Sequence, residues 1–161
     1  MAENYGAPPV HGSQQDRLAA FVGRWHAEGL SFGRNQDRAE PRRNAEAWTS
    51  EEVTHWHAGN FFVIQEETAR TGNEPLITHC VIGVDARSGE YFATTVENHG
   101  HSRRYAVTND GPSWTFSGDT ERARIEFSDD GRTQTVAWEW RPSGDEWLPL
   151  CDRTNRRADL T

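Results

Sequence analysis

Short stretches of alternating or continuous apolar residues, each ended by turn residues, run along most of this chain. In "TVAWEW", for example, Val136, Trp138 and Trp140 fall on one side of an extended chain and the residues between them on the other. Turn sequences such as "NHG", "NDGP" and "SDDG" recur roughly every 8–12 residues, a spacing typical of antiparallel barrels and sandwiches. The pattern predicts an all-β protein of about ten strands, at residues 23–33, 45–57, 61–69, 76–84, 90–97, 101–108, 113–118, 122–127, 132–141 and 147–157.

One stretch, "QDRLAAFVG", has a helical pattern instead. Asp16 is suited to the N-cap, Leu18, Phe21 and Val22 share a face, and Gly23 ends the turn. Residues 1–15 before it are polar and rich in proline and glycine, which predicts a flexible tail. The rest of the chain, 16–161, shows neither a linker nor an internal repeat, so we expect a single domain there.

Composition excludes several classes of function. The net charge of −8 has the wrong sign for binding a nucleic-acid backbone. All 17 basic residues are arginine, which excludes a Schiff-base lysine and a phosphate-binding P-loop lysine. The first residues lack the pattern of a signal peptide, and no run approaches the roughly 20 apolar residues of a membrane span. We therefore expect a cytoplasmic protein with neither a nucleic-acid nor a membrane partner.

The apolar residues are few but large. Hydrophobic residues make up 34% of the chain, against an average of roughly 45–50% that also counts glycine. Seven Trp, seven Phe and three Tyr offset the shortage, because each aromatic side chain buries roughly 150–250 Å². This composition favours a thin wall around a pocket over a solid helical core. Cys80 and Cys151, far apart and outside any Cys-x-x-Cys motif, are interpreted as buried thiols.

The histidines are the candidates for chemistry. His55 and His57 stand one residue apart in "VTHWHA", so they face the same side of a strand. Together with His79 they can supply a general acid or base to a pocket, or hold a metal ion with a carboxylate. A cupin also uses His-x-His but needs a glutamate shortly after it, where residues 60–62 are Asn, Phe and Phe. We therefore expect these histidines in a pocket wall, with no metal and no other cofactor.

Gly23-Arg24-Trp25, directly after the predicted helix, resembles the Gly-x-Trp signature of the calycins, the lipocalins and fatty-acid-binding proteins. In that superfamily the tryptophan plugs the closed end of the barrel. An arginine of the last strand lies across its ring, which gives a favourable cation–π contact. The resemblance therefore implies a closure pair of Trp25 and Arg156, with Arg153 as the alternative arginine.

Two longer segments, "VIGVDARSGEYFATTVENHGHSRRYAV" and "FSDDGRTQTVAWEWRPSGDEWLPL", resemble the bacterial family of unknown function numbered fifteen seventy-nine. The shared features are the Gly-x-Trp start, a Gly-x-Asp turn followed by Tyr, an Arg-x-Tyr strand and a Trp near the end. The resemblance extends from Leu18 to Arg156 and implies a single antiparallel, calycin-like up-and-down barrel with no established activity. The many histidines are a departure from the family and are particular to this chain.

Our first hypothesis is a barrel that holds a small apolar or amphipathic organic ligand in its lumen. The candidate ligand-binding residues are aromatic and charged side chains of the predicted strands: Trp56, Glu66, Tyr91, Arg104, Trp138 and Trp140. Glu66 and Glu67 fall on opposite faces, as do Arg103 and Arg104, and the pattern leaves open which member of each pair points inward.

Two alternatives stand beside the binding hypothesis. One is a cofactor-free isomerase, cyclase or lyase, with His55, His57 or His79 as the general acid or base. Arg104 or Tyr91 would then hold an oxyanion. The other is a module for protein interaction, including a homodimer formed through the apolar outside of a strand.

Overall fold

A computed structural model describes residues 6–144 and 146–158 of the chain. A short helix, α1 (Ser13–Arg17), continues as a 3-10 helix (Leu18–Phe21) and leads into the strands. The strands are β1 (Gly23–Ser31), β2 (Glu46–Trp56), β3 (Phe62–Thr71), β4 (Glu74–Val84), β5 (Tyr91–Glu97), β6 (Ser102–Asp110), β7 (Ser113–Ser117), β8 (Glu121–Phe127), β9 (Thr133–Trp140) and β10 (Leu148–Arg157). Each strand pairs antiparallel with the next, and β10 pairs with β1 to close the barrel. The predicted fold class is confirmed.

The helix begins earlier than its sequence pattern indicates. α1 starts at Ser13, inside the segment predicted as a tail, and residues 1–5 of that segment lie outside the described residues. The predicted N-cap at Asp16 is wrong, because the cap position is Gly12. The backbone N–H of Gly12 donates to the side-chain oxygen of Gln15 at 2.8 Å, which gives the helix start a polar partner. Gln15 is buried, so this short helix packs against the barrel.

Aromatic rings fill the end of the barrel beneath the helix. Phe21 lies 4.9 Å from Trp114 and 5.2 Å from Phe127, centroid to centroid, in edge-to-face contacts. Trp25 contacts Phe127 at 6.1 Å, and its indole N–H donates to the carbonyl of Phe21 at 2.9 Å. All four rings are buried. Helix and rings together close this end.

The closing arginine is Arg157, one residue beyond the predicted Arg156. The guanidinium of Arg157 lies 4.2 Å from the centre of the Trp25 ring and donates to the carbonyls of Ala20 at 3.2 Å and Val22. Arg156 is exposed, because neighbouring residues of a strand point to opposite faces. The absence of a side chain at Gly23 leaves room for Arg157, because a Cβ at residue 23 would collide with the guanidinium.

Toward the other end the interior becomes polar. The inward-facing residues of β2 run from Trp56 near the closed end through Thr54, Glu52 and Ser50 to Trp48.

In the described part of the chain, no helix is long and apolar enough to cross a membrane.

Candidate functional site

The open half of the barrel contains a cavity of about 410 Å³, here called the outer cavity. A smaller chamber of about 70 Å³, the inner chamber, adjoins it on the side of the closed end. The two spaces share five lining residues: Glu67, Thr78, Thr95, Trp138 and Arg153. The outer cavity offers apolar surface from Trp48, Leu76 and Trp138 among several charged groups.

A buried ion pair marks the boundary between the two spaces. Arg153 Nη1 lies 2.6 Å from Glu67 Oε1, and their side chains are only 10% and 15% exposed. The guanidinium of Arg153 also lies 5.1 Å from the centre of the Trp48 ring. Burial alone would lower the pKa of Arg153, but the Glu67 carboxylate raises it, so the guanidinium stays charged. Arg153 thus places a fixed positive charge in the lumen.

Glu52 is a buried carboxyl group of the lumen with a strongly raised pKa. It stands opposite Glu67 in the pairing of β2 with β3 and is buried. Burial first, and then the charge of Glu67, raise the pKa of Glu52 to about 7. One oxygen of Glu52 accepts from the Thr54 hydroxyl at 2.9 Å and from the Gln65 amide at 3.3 Å. Glu52 can therefore hold or release a proton inside the barrel.

A second ion pair lies at the mouth. Arg103 Nε is 3.2 Å from Glu121 Oε1, and the Tyr105 hydroxyl donates to the other oxygen of Glu121 at 3.2 Å. Burial and the Glu121 carboxylate raise the pKa of Tyr105, so the phenol is a hydrogen-bond donor over the physiological range. These three side chains form a preorganised polar wall on one side of the outer cavity.

The turn between β5 and β6 also reaches the mouth. Glu97 accepts hydrogen bonds from the backbone N–H groups of His99 at 2.8 Å and His101 at 2.9 Å. Burial alone would raise the pKa of Glu97, but these hydrogen bonds lower it. Glu97 is thus a carboxylate held in place by its own turn, with His99 and His101 beside it in the lining.

The prediction that His55, His57 and His79 point into the lumen is wrong. All three are exposed on the outer face of the barrel. Nε2 of His79 lies 3.8 Å from Glu66 Oε1, also on that face. Within residues 6–144 and 146–158, histidine, cysteine and carboxylate side chains form no group of three or more that would hold a metal ion. His55, His57 and His79 therefore lie outside the lining of the outer cavity and of the inner chamber, where the metal and acid–base roles were expected.

The two charged candidates for ligand binding also face outward. Glu66 is half exposed beside His79. Arg104 packs its guanidinium 4.6 Å from the centre of the outward-facing Phe92 ring and lies 3.8 Å from Asp85. The inward members of the two ambiguous pairs are Glu67 and Arg103, both in the lining of the outer cavity.

The aromatic candidates lie at different heights. Trp138 lines both the outer cavity and the inner chamber. Trp56 packs on the closed-end core, as does Tyr91, whose hydroxyl donates to the carbonyl of Gln14 at 2.7 Å. Trp140 donates its indole N–H to the side-chain oxygen of Gln36 at 2.9 Å and lies outside the lining of the outer cavity.

Sequence reasoning missed the charged centre of the site. Glu52 was not a candidate, and Arg153 was considered only as a partner for Trp25. A usable signal lay in the alternation of "CDRTNRR", where Cys151, Arg153, Asn155 and Arg157 share a face.

Comparisons with known proteins agree with this architecture. The profile of a family described as "Protein of unknown function (DUF1579)" matches residues 11–142. Rv2717c from M. tuberculosis has a similar structure, with a TM-score of 0.67 and 12% identity over 93% of this chain and 100% of that one. The S-type phycobiliprotein lyase CPES from Guillardia theta is also similar, with a TM-score of 0.60 and 12% identity over 94% of this chain and 96% of its own. No curated protein sequence matches significantly.

Proposed function

This chain belongs to the DUF1579 family of proteins of unknown function, and from that premise we propose that it binds a small amphipathic organic molecule in the barrel lumen. The observation that carries the proposal is the outer cavity. Its volume of about 410 Å³ falls in the range of roughly 300–1,000 Å³ found for pockets that hold small organic ligands.

The lining favours a ligand with an apolar body and a polar end. Trp48, Leu76 and Trp138 offer apolar surface to a ring or an alkyl chain. Arg103, Tyr105 and Glu121 offer donors and acceptors that are already held by one another. Since these groups are positioned before binding, a ligand loses less free energy to ordering them.

A calorimetric titration with long-chain fatty acids and aromatic metabolites tests the proposal. We expect saturable binding of at least one compound and its loss in Thr78→Trp, whose new ring would fill the lumen. Ile77→Trp is the matched control, because Ile77 is the outward-facing neighbour and is 41% exposed. The absence of saturable binding across the panel, or equal binding by both variants, would overturn the proposal.

Catalysis in the same lumen is the second candidate, with Glu52 in place of the histidines. A buried carboxyl with a pKa of about 7 can give and take a proton at physiological pH. The structural similarity to a protein described as a lyase is compatible with an enzyme of the isomerase, cyclase or lyase class. If the barrel is an enzyme of this kind, Glu52→Gln abolishes turnover of a bound compound while its affinity is retained. Unchanged turnover would remove Glu52 from that role.

A further inference from the structure

Three buried polar atoms around the inner chamber lack hydrogen-bond partners among the described residues. They are Gln134 Nε2, Asn155 Oδ1 and Arg153 Nε. Gln134 and Asn155 are 2% and 1% exposed, and all three side chains line the chamber. A buried polar group without a partner destabilises a protein, so a native structure provides such groups with water or a ligand.

The two amides of Gln134 and Asn155 leave atoms without a partner whichever way the amides are oriented. Asn155 Nδ2 donates to Gln134 Oε1 at 3.1 Å. The amide nitrogen of Gln134, a donor, and the amide oxygen of Asn155, an acceptor, then have no partner among the described residues. Turning both amides by half a rotation reverses the roles but again leaves one donor and one acceptor. The chamber therefore presents a donor and an acceptor side by side, with the Nε donor of Arg153 as a third group.

Charge around the chamber disfavours an ionised ligand group. Glu67 and Arg153 both line it, so a carboxylate would meet the negative charge of Glu67 and an ammonium group would meet the guanidinium of Arg153. The volume of about 70 Å³ is room for a few water molecules or for a small terminal group of a ligand. An uncharged group with a carbonyl oxygen and an adjacent N–H fits both conditions.

We propose that the inner chamber is a specificity site for the terminal carboxamide of the ligand, an inference that rests on the proposed binding function. The carbonyl oxygen accepts from Gln134 Nε2 and Arg153 Nε, and the carboxamide N–H donates to Asn155 Oδ1. The apolar body of the ligand then extends past Trp138 into the outer cavity. Compounds lacking either half of the carboxamide lose affinity, because they leave a buried protein group unpaired.

Three probes of nearly equal size test the inference by calorimetry. They are 2-naphthamide, 2-acetonaphthone, which keeps the carbonyl but replaces the amino group by methyl, and 2-naphthoate, which is charged. We expect the wild-type protein to bind 2-naphthamide about tenfold more tightly than 2-acetonaphthone, and 2-naphthoate more weakly than either. In Gln134→Met/Asn155→Leu the advantage of 2-naphthamide should fall to about twofold or less, with 2-acetonaphthone still bound because its carbonyl keeps the Nε donor of Arg153.

Removing both amides together leaves no new unpaired group between them, so the double variant should fold. Thr135→Val, at an exposed neighbour of Gln134, is the control and should keep the full advantage. The wild-type comparison needs no variant and decides the question if the double variant does not fold.

Equal affinity of the wild-type protein for 2-naphthamide and 2-acetonaphthone would overturn the inference while the binding function stands, and the chamber would then hold water only. An advantage that survives in the double variant would also overturn it, because the selective contact would lie elsewhere. If none of the three probes binds saturably, the inference fails, and the titration with fatty acids and aromatic metabolites decides separately whether the proposed function stands.

Discussion

The two ends of the lumen contain the same two elements, a tryptophan and an arginine of β10, and use them differently. At the closed end Arg157 lies 4.2 Å from the centre of the Trp25 ring and donates its remaining N–H groups to backbone carbonyls. In the open half Arg153 lies 5.1 Å from the Trp48 ring and faces the Glu67 carboxylate. One guanidinium ties the helix to the barrel, whereas the other holds a charge inside it.

The packing around each pair explains the difference. At the closed end the Phe21 ring contacts both Trp114 and Phe127, at 4.9 Å and 5.2 Å between ring centres, and all three rings are buried. In the open half the inward-facing positions carry charged side chains as well as rings, and a cavity of about 410 Å³ remains. In every strand alternate side chains point into the lumen. Where these side chains are large rings they form a packed core, and where they are charged they leave a pocket.

The largest effect should come from removing the closed-end ring. Trp25→Ala should destabilise the protein by about 4 kcal/mol, since it removes a buried indole and leaves a cavity. Urea unfolding measures this loss. Trp147→Ala is the control, because Trp147 is only partly buried beneath Arg122 and Arg141, and about 1 kcal/mol or less is expected there. A similar loss for both variants would contradict the distinction between the two ends.

The next largest effect should come from breaking the pair in the lumen. Arg153→Met leaves the Glu67 carboxylate buried without its counter-ion and should cost about 3 kcal/mol of stability by urea unfolding. Arg153→Met/Glu67→Gln should recover most of that loss, since the unpaired charge is gone. Arg156→Met, at the exposed neighbour, should change little. Failure of the second substitution to rescue the first would show that Arg153 stabilises by packing instead of by charge.

The fold could be predicted because strand order depends on short-range signals. The turn sequences and the Gly-x-Trp start placed all ten strands within a few residues of their observed bounds. At the join of β3 to β4 both bounds move, and the predicted loop "RTGNEP" narrows to two residues, where Gly72 adopts a φ of +65° that a tight turn needs. Pairing extends the two strands into the expected loop.

The site could not be predicted equally well, because a strand period of two fixes which residues share a face but not which face points inward. In "VTHWHA" the half-buried Trp56 ring packs against the core, so His55 and His57, on the opposite face of the strand, point outward. In "FFVIQEETA" both faces carry apolar residues, so the pattern does not distinguish Glu66 from Glu67 as the inward-facing residue. The buried charge of Arg153 depends on a partner more than eighty residues away in sequence.

Protonation of Glu52, a group of the lumen, should make the free energy of unfolding depend on pH. Its folded pKa of about 7 lies above the ordinary value of 4.5, so its contribution is complete below 4.5 and is lost as pH rises through 7. Glu52→Gln should remove on the order of 2 kcal/mol of the decline in unfolding free energy between about pH 5 and pH 8. Urea unfolding at several pH values measures this. Glu66→Gln, at an exposed carboxylate, should keep the wild-type profile. An unchanged slope in Glu52→Gln would mean that Glu52 is ionised throughout.

The smallest effect should come from the mouth, where the polar wall meets solvent. The side chains of Arg103 and Glu121 are 29% and 17% exposed, more than those of Arg153 and Glu67, so water compensates part of what is lost when their pair is broken. Arg103→Met should therefore cost about 1 kcal/mol in urea unfolding, and Glu121 keeps its hydrogen bond from Tyr105. Arg104→Met, the outward neighbour, should cost about 0.5 kcal/mol or less. A loss at Arg103 as large as that at Arg153 would show that the mouth is as dry as the middle of the lumen. The lumen would then consist of two regions, an apolar closed end and a uniformly buried polar half, without a gradual increase in exposure toward the mouth.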